Sequence, residues 1–219
     1  VRKLWLFLVA AGLLAACSSS PAPVAAPPPL SPAPEVSDQQ RLVAALPSED
    51  EAERYGLEPT GTAAPLLPSE TTRVSLGKPC DRTLPSDVRI AGAAQAIWYL
   101  TNNNPRLQVR QVLARYSRTA GATVVQEVEQ SLTCRTGTDE DEVPYAFDGK
   151  LALPPISGAD RQVAYCVHST GLNYRDCYVY AARGEFAMML DFRTYGDKDS
   201  ANQVVPTLTA QLATALTRT

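Results

Sequence analysis

Ser75 and Lys78 stand three residues apart, the S-x-x-K spacing in which a lysine one helical turn on can take the proton of a serine nucleophile. Arg135-Thr136-Gly137 imitates the K-T-G that accompanies such a pair in acyl-transfer enzymes. That chemistry needs the serine to open a helix. Here the stretch reads as a strand running into Gly77 and Pro79, and the chain is short for such a fold, so the match is read as coincidence. His168, the single histidine, could act as a general base oriented by nearby Asp176, but no nucleophile stands out beside it. G-x-S-x-G, H-E-x-x-H and a glycine-rich phosphate loop are all missing, and no catalytic residue is assigned.

Metal chemistry finds equally little. One histidine and no C-x-x-C pair cannot complete a zinc site. The acidic run Asp139-Glu140-Asp141-Glu142 lacks the spacing of a calcium loop and reads as an exposed, solvated loop. Neither metal nor cofactor is expected.

The cysteines carry the firmest chemistry. Leu4 to Ala16 is apolar, preceded by Arg2 and Lys3, and ends in Leu14-Ala15-Ala16 directly before Cys17. The run is too short to span a bilayer, which takes about 20 apolar residues. It has the layout of a signal peptide over residues 1–16, and the small residues before a cysteine resemble a bacterial lipobox. Cleavage there would leave Cys17 to carry the acyl chains that anchor the protein durably to the outer face of the cell membrane. Residues 17–37 follow as a Pro/Ala/Ser-rich tether with prolines at 21, 23, 27, 28, 29, 32 and 34. Polyproline II at about 3.1 Å per residue would let it reach roughly 60 Å.

Cys80, Cys134, Cys166 and Cys177 remain. In an oxidising compartment they should form two disulfides, for which three connectivities exist. The favoured pairing is Cys80–Cys134 with Cys166–Cys177. Chain entropy assigns roughly 4 kcal/mol to the longer loop and about 3 kcal/mol to the shorter.

Losing Arg2 and Lys3 with the leader leaves 18 of the 20 basic side chains against 23 acidic ones, a net charge of −5. That argues against nucleic acid as a partner and against a basic grip on anionic lipid.

Residues 38–219 must then supply one folded domain. Ser48 and Glu51 form a capping box before a short helix ending at Gly56, and Ser37 with Gln40 can start another. Residues 57–70, with three prolines, read as loop, and 71–76 as a strand leading to Cys80. Residues 94–101 and 107–116 read as strands joined across Asn-Asn-Asn-Pro, 119–132 as a helix, and 150–153 as a short strand. Residues 161–169, 174–182 and 185–195 form a strand meander. The chain closes on an amphipathic helix over 200–216, whose start Pro206 should push later. The sum is α+β, with about six mostly antiparallel strands packed with helices and two disulfides.

The meander has two faces. With Arg183-Gly184 as a two-residue turn, Ala182 opposes Glu185, Val179 opposes Met188 and Cys177 opposes Leu190. Cys177, Val179 and Ala181 then join Met188, Leu190 and Phe192 on the core face. The other face receives Tyr165, Tyr178 and Tyr180, then Asp191 and Arg193. Tyrosines with flanking charges suit a ligand groove or a protein interface, and these five are the candidate ligand-binding residues.

This layout resembles the extracellular sensor-domain family found at the C-terminus of PknH-type mycobacterial kinases and in many actinobacterial lipoproteins. "LPSEDEAERYGL", "PCDRTL", "AIWYL", "LTCR" and "YRDCYVYAARGEFAMMLDF" carry the resemblance. It implies an antiparallel sheet with helices, two disulfides and a cleft for an unidentified ligand. The second cysteine pair, Cys166 and Cys177, is spaced more closely here than in one member of that family. The expected function is a lipid-anchored, non-catalytic sensor or binding domain for a small molecule, lipid or cell-wall fragment. The alternative is an envelope interaction or scaffold module with a protein partner, and a cell-envelope hydrolase has no motif behind it.

Overall fold

The computed structural model describes residues 37–67, 74–100, 107–139, 142–195 and 198–219. The leader, Cys17 and the tether lie outside the described residues, as do residues 71–73 and the Asn-Asn-Asn-Pro connection. The described residues belong to one compact unit, Val36–Thr219.

Two capped helices open it, α1 (Asp38–Ala45) and α2 (Glu49–Arg54), each with a reciprocal capping box, Ser37 with Gln40 and Ser48 with Glu51. The expected loop after Gly56 instead holds two short strands, β1 (Leu57–Pro59) and β2 (Ala64–Pro65), both antiparallel to β3 (Ile90–Leu100). Pro59 and Pro65 are tolerated because an edge strand need not donate on both sides. The rest comprises β4 (Leu107–Tyr116), α3 (Gly121–Ser131), β5 (Thr136–Thr138), β6 (Pro144–Lys150), β7 (Arg161–Ser169), β8 (Tyr174–Arg183), β9 (Phe186–Tyr195) and α4 (Lys198–Leu212).

All nine strands join one antiparallel sheet in the order β1-β3-β4-β9-β8-β7-β6-β5, with β2 also on β3. The fold is α+β as expected, but six strands become nine because β1, β2 and β5 are too short to show periodicity. Two further expectations fail. Val74–Leu76 is irregular rather than a strand, and the strand placed at 150–153 lies earlier, as β6. α4 begins at Lys198 although Pro206 sits inside it, forfeiting the bond to the carbonyl of residue 202. Burial of Val205, Leu208 and Leu212 outweighs that local loss.

Both sheet faces are covered, unequally. One packs Trp98, Val109, Val179, Leu190 and Phe192 against α1, α4 and the following turn Ala213–Thr217. Gln111 is fully buried on this side, and its Nε2 donates to the Leu212 carbonyl at 3.0 Å, satisfying a helix-end acceptor. The second face is covered at one end by α3 through Val124, Val125 and Val128, with Leu76 and Leu84 beside them. α3 is only 11 residues long, so the other end of that face is left without a helix.

Gly121 fixes how closely α3 approaches the β8–β9 hairpin. Its N–H donates to the Gly184 carbonyl at 2.8 Å, and a Cβ there would run into the Phe186 carbonyl oxygen. Gly121→Ala should therefore destabilise the domain by about 1–3 kcal/mol despite its better helix propensity, measurable by urea unfolding.

Candidate functional site

The uncovered end of the second face is a cavity of about 510 Å³. Tyr165, Tyr178, Tyr180, Asp191 and Arg193, nominated from strand alternation, all line it. The hairpin behind them turns at Gly184-Glu185, one residue later than expected, so Val179 opposes Leu190 and Cys177 opposes Phe192. Every pairing moves by two residues, and a shift of two keeps each side chain on its face. Tyr165 opposes Tyr178 across β7 and β8, their rings 5.1 Å apart, and Tyr165 stacks on Tyr180 at 6.2 Å.

Gln95 and Ile97 of β3, Gln108 and Arg110 of β4 and Met189 of β9 extend the floor. The walls come from outside the central strands. Gly77, Lys78 and Asp81 form one, Thr138, Asp139 and Tyr145 another, and the Cys80–Cys134 disulfide ties the first wall to the segment after α3. Cys80 and Asp81 both hold left-handed backbone conformations, φ 54° and 57°. Asp81 accepts the Thr138 N–H at 2.9 Å, joining the two walls. Gly77 has φ 144°, and its missing side chain makes room for the Tyr180 hydroxyl.

Arg193 is the electrostatic centre of the site. Its Nε and a terminal nitrogen grip the two oxygens of Asp176, each at 2.9 Å, and its guanidinium lies 4.5 Å from the centre of the Tyr174 ring. Asp176 is 1% exposed; burial pushes its carboxyl up, and the Arg193 guanidinium opposes that shift. Asp139, expected in a solvated loop, instead accepts from the Tyr174 hydroxyl and the Val143 N–H and faces Arg193 at 3.4 Å. Burial raises the phenols of Tyr165 and Tyr178 well above their ordinary range and that of Tyr145 to about 12. They therefore act at neutral pH as hydroxyl donors and acceptors.

The other sequence candidates lie elsewhere. His168 opposes Arg175 on β8 and shares the Asp148 carboxylate with it, so Asp148 and not Asp176 is its partner. Ser75 stands in irregular chain, where its Oγ donates to Asp87 at 2.7 Å, while Lys78 lines the cavity. Burial pushes the Asp87 carboxyl up. A raised native value means stability present below about pH 4 is lost as pH rises through it. Asp87→Asn should flatten that part of the stability–pH curve, read from thermal melts between pH 3 and pH 8. Both expected disulfides are present, Cys80–Cys134 and Cys166–Cys177, the latter joining residues directly opposite on β7 and β8. Among the described residues no group of histidine, cysteine or carboxylate side chains could hold a metal.

One antiparallel sheet, a helix layer on one face and a half-covered cavity on the other can be compared as a whole. The fold is PknH-like. The crystal structure of the extracellular domain of PknH from Mycobacterium tuberculosis superposes with a TM-score of 0.52 at 12% sequence identity, covering 84% of this chain and 97% of that one. No sequence-family profile matches the chain, and no curated protein does. At that identity the likeness to PknH speaks for the fold alone, and the site rests on this chain's own side chains.

Asp139, Tyr145 and the four floor residues from β3 and β4 were missed by the sequence reading. Alternation in β3 and β4 could have placed Gln95, Ile97, Gln108 and Arg110 on one face, given the pairing of β4 with β9. Nothing local marks Asp139, whose partners Tyr174 and Arg193 lie 35 and 54 residues away.

Proposed function

We propose that this chain is a lipid-anchored extracytoplasmic protein whose folded part, 38–219, is a non-catalytic, sensor-like ligand-binding domain. Its binding site is the cavity on the tyrosine face. The observation that carries this reading is the convergence of Tyr165, Tyr178, Tyr180, Asp191 and Arg193 on one concave space of about 510 Å³. That volume falls within the roughly 300–1,000 Å³ of small-molecule sites. Concavity favours a small ligand over a flat protein partner.

Supporting observations come from the chain around it. Two disulfides fit folding in an oxidising compartment. The PknH neighbour is itself described as an extracellular domain. Leu14-Ala15-Ala16-Cys17 supplies the lipidation site, and the proline-rich segment the spacer from the membrane. No helix among the described residues is long and apolar enough to cross a membrane.

The test is a thermal-shift titration of the oxidised chain against fractionated cell-envelope extract, beside Thr138→Trp. Thr138 is an exposed wall residue, so its replacement by tryptophan plugs the cavity without disturbing the core. Saturable stabilisation, about 2.7 kcal/mol at 100 times the dissociation constant, should occur in the parent and vanish in the variant. A shift that survives the plug would place the ligand elsewhere. No shift from any fraction would favour the interaction-module alternative.

A further inference from the structure

The ligand class follows from the lining, in an inference that rests on the binding function above. We propose that the cavity takes a neutral, polyhydroxylated ligand, a sugar unit, in preference to a lipid chain or an anion.

Charge is the first argument. Lys78, Arg110 and Arg193 are matched by Asp81, Asp139 and Asp191. Arg193 is further held by Asp176, and Arg110 stands directly opposite Asp191 in the β4–β9 ladder. A phosphate or carboxylate entering here would shed its hydration without meeting a net countercharge.

Aromatic geometry is the second. Tyr165 and Tyr180 are 3% and 1% exposed, and Tyr165 stacks on both Tyr178 and Tyr180. These ring faces are spent on one another. An acyl chain would meet Ile97, Val167 and Met189, but it would also lie against carboxylates, guanidiniums and amides, whose desolvation it could not repay.

Hydrogen-bonding capacity is the third. Gln95 and Gln108 line the floor half-buried, and among the described residues no hydrogen bond engages their side-chain amides. Each presents a donor and an acceptor in one plane. Asp191 adds a planar acceptor two strands from Gln95. Gln95 pairs with Val112 and Gln108 with Tyr99, so the two amides stand four ladder positions apart, about 13 Å along the sheet, and each can meet a hydroxyl on a different unit of an oligosaccharide, since a hydroxyl both donates and accepts.

Isothermal titration of the oxidised chain with cellobiose, chitobiose, a galactose disaccharide and an arabinose disaccharide, beside inorganic phosphate and palmitate, tests this. At least one neutral sugar should bind saturably. Gln95→Ala and Gln108→Ala should each weaken it tenfold or more, and the control Arg183→Ala, at the exposed end of β8, should not. A sugar that binds both glutamine variants unchanged overturns the assignment, as does binding by none of the four. Phosphate or palmitate binding that Gln108→Ala weakens overturns the sugar class and leaves the cavity as a binding site. If no sugar binds while envelope extract still stabilises through the unplugged cavity, the class alone fails; if neither acts, both readings fail.

Discussion

Arg193→Ala is expected to lower the unfolding free energy by about 3–5 kcal/mol, the cost typical of removing one partner from a buried ion pair. The loss comes mainly from what stays behind. Asp176 is 1% exposed and would keep a carboxylate facing Tyr178 and Asp139 with its bidentate partner gone. Its carboxyl would be driven up further, so the variant should be relatively less impaired in acid, where Asp176 is protonated. Asp176→Leu with Arg193→Met should recover much of the loss, because a pair of similar apolar volume removes the stranded charge. Urea unfolding at pH 5 and pH 8 reads all three. A drop below about 1 kcal/mol for Arg193→Ala would mean that water already screens the pair.

Cys80→Ser with Cys134→Ser should cost about 4 kcal/mol, from a loop whose ends are 54 residues apart. The consequence for the site is larger than the number suggests. Cys80 and Asp81 occupy left-handed conformations that cost a non-glycine residue on the order of 1–3 kcal/mol each. With the bridge gone, the Asp81–Thr138 hydrogen bond and the packing of Leu76 are left to hold that wall. Amide exchange should quicken at Lys78–Arg82 and Thr136–Thr138 before the rest of the sheet, and cavity binding should weaken. Replacing Cys166 and Cys177 by alanine should cost about 3 kcal/mol and leave those amides protected, since that bridge joins strands already paired. Equal exchange in both variants would contradict the wall's dependence on Cys80–Cys134.

Much of the floor was legible because period-two alternation survives a register shift of two, where a shift of one would have turned every side chain over. The turn moved from Arg183-Gly184 to Gly184-Glu185, yet Tyr178, Tyr180, Asp191 and Arg193 kept their shared face. Cys166 and Cys177 gained their pairing from the same ladder, each directly opposite the other. The walls were not legible. Lys78, Asp81 and Asp139 sit in irregular or very short elements, and what places them is contact with residues far away in the chain. Asp139 belongs to a run of four acids whose composition suggests solvent, and only its neighbours Tyr174 and Arg193 make it part of the site. His168 misled for the related reason that sequence proximity to Asp176 does not put two side chains on one face: their strands present them on opposite sides. Pro206 did not push the start of α4 later: the helix begins at Lys198 and runs through the proline, which sits within the apolar stripe of Val205, Leu208 and Leu212 that the helix buries.

The central claim, that the tyrosine-face cavity is where this domain meets its ligand, is tested most directly by amide chemical-shift mapping of the oxidised, isotope-labelled chain during titration with active envelope extract. The account predicts saturable perturbations concentrated at Gly77–Asp81, Gln95–Ile97, Gln108–Arg110, Thr138, Tyr178–Tyr180 and Met189–Arg193, with α1 and α4 unmoved. Perturbations centred instead on α1, α4 or the Asp148–His168–Arg175 cluster would contradict it.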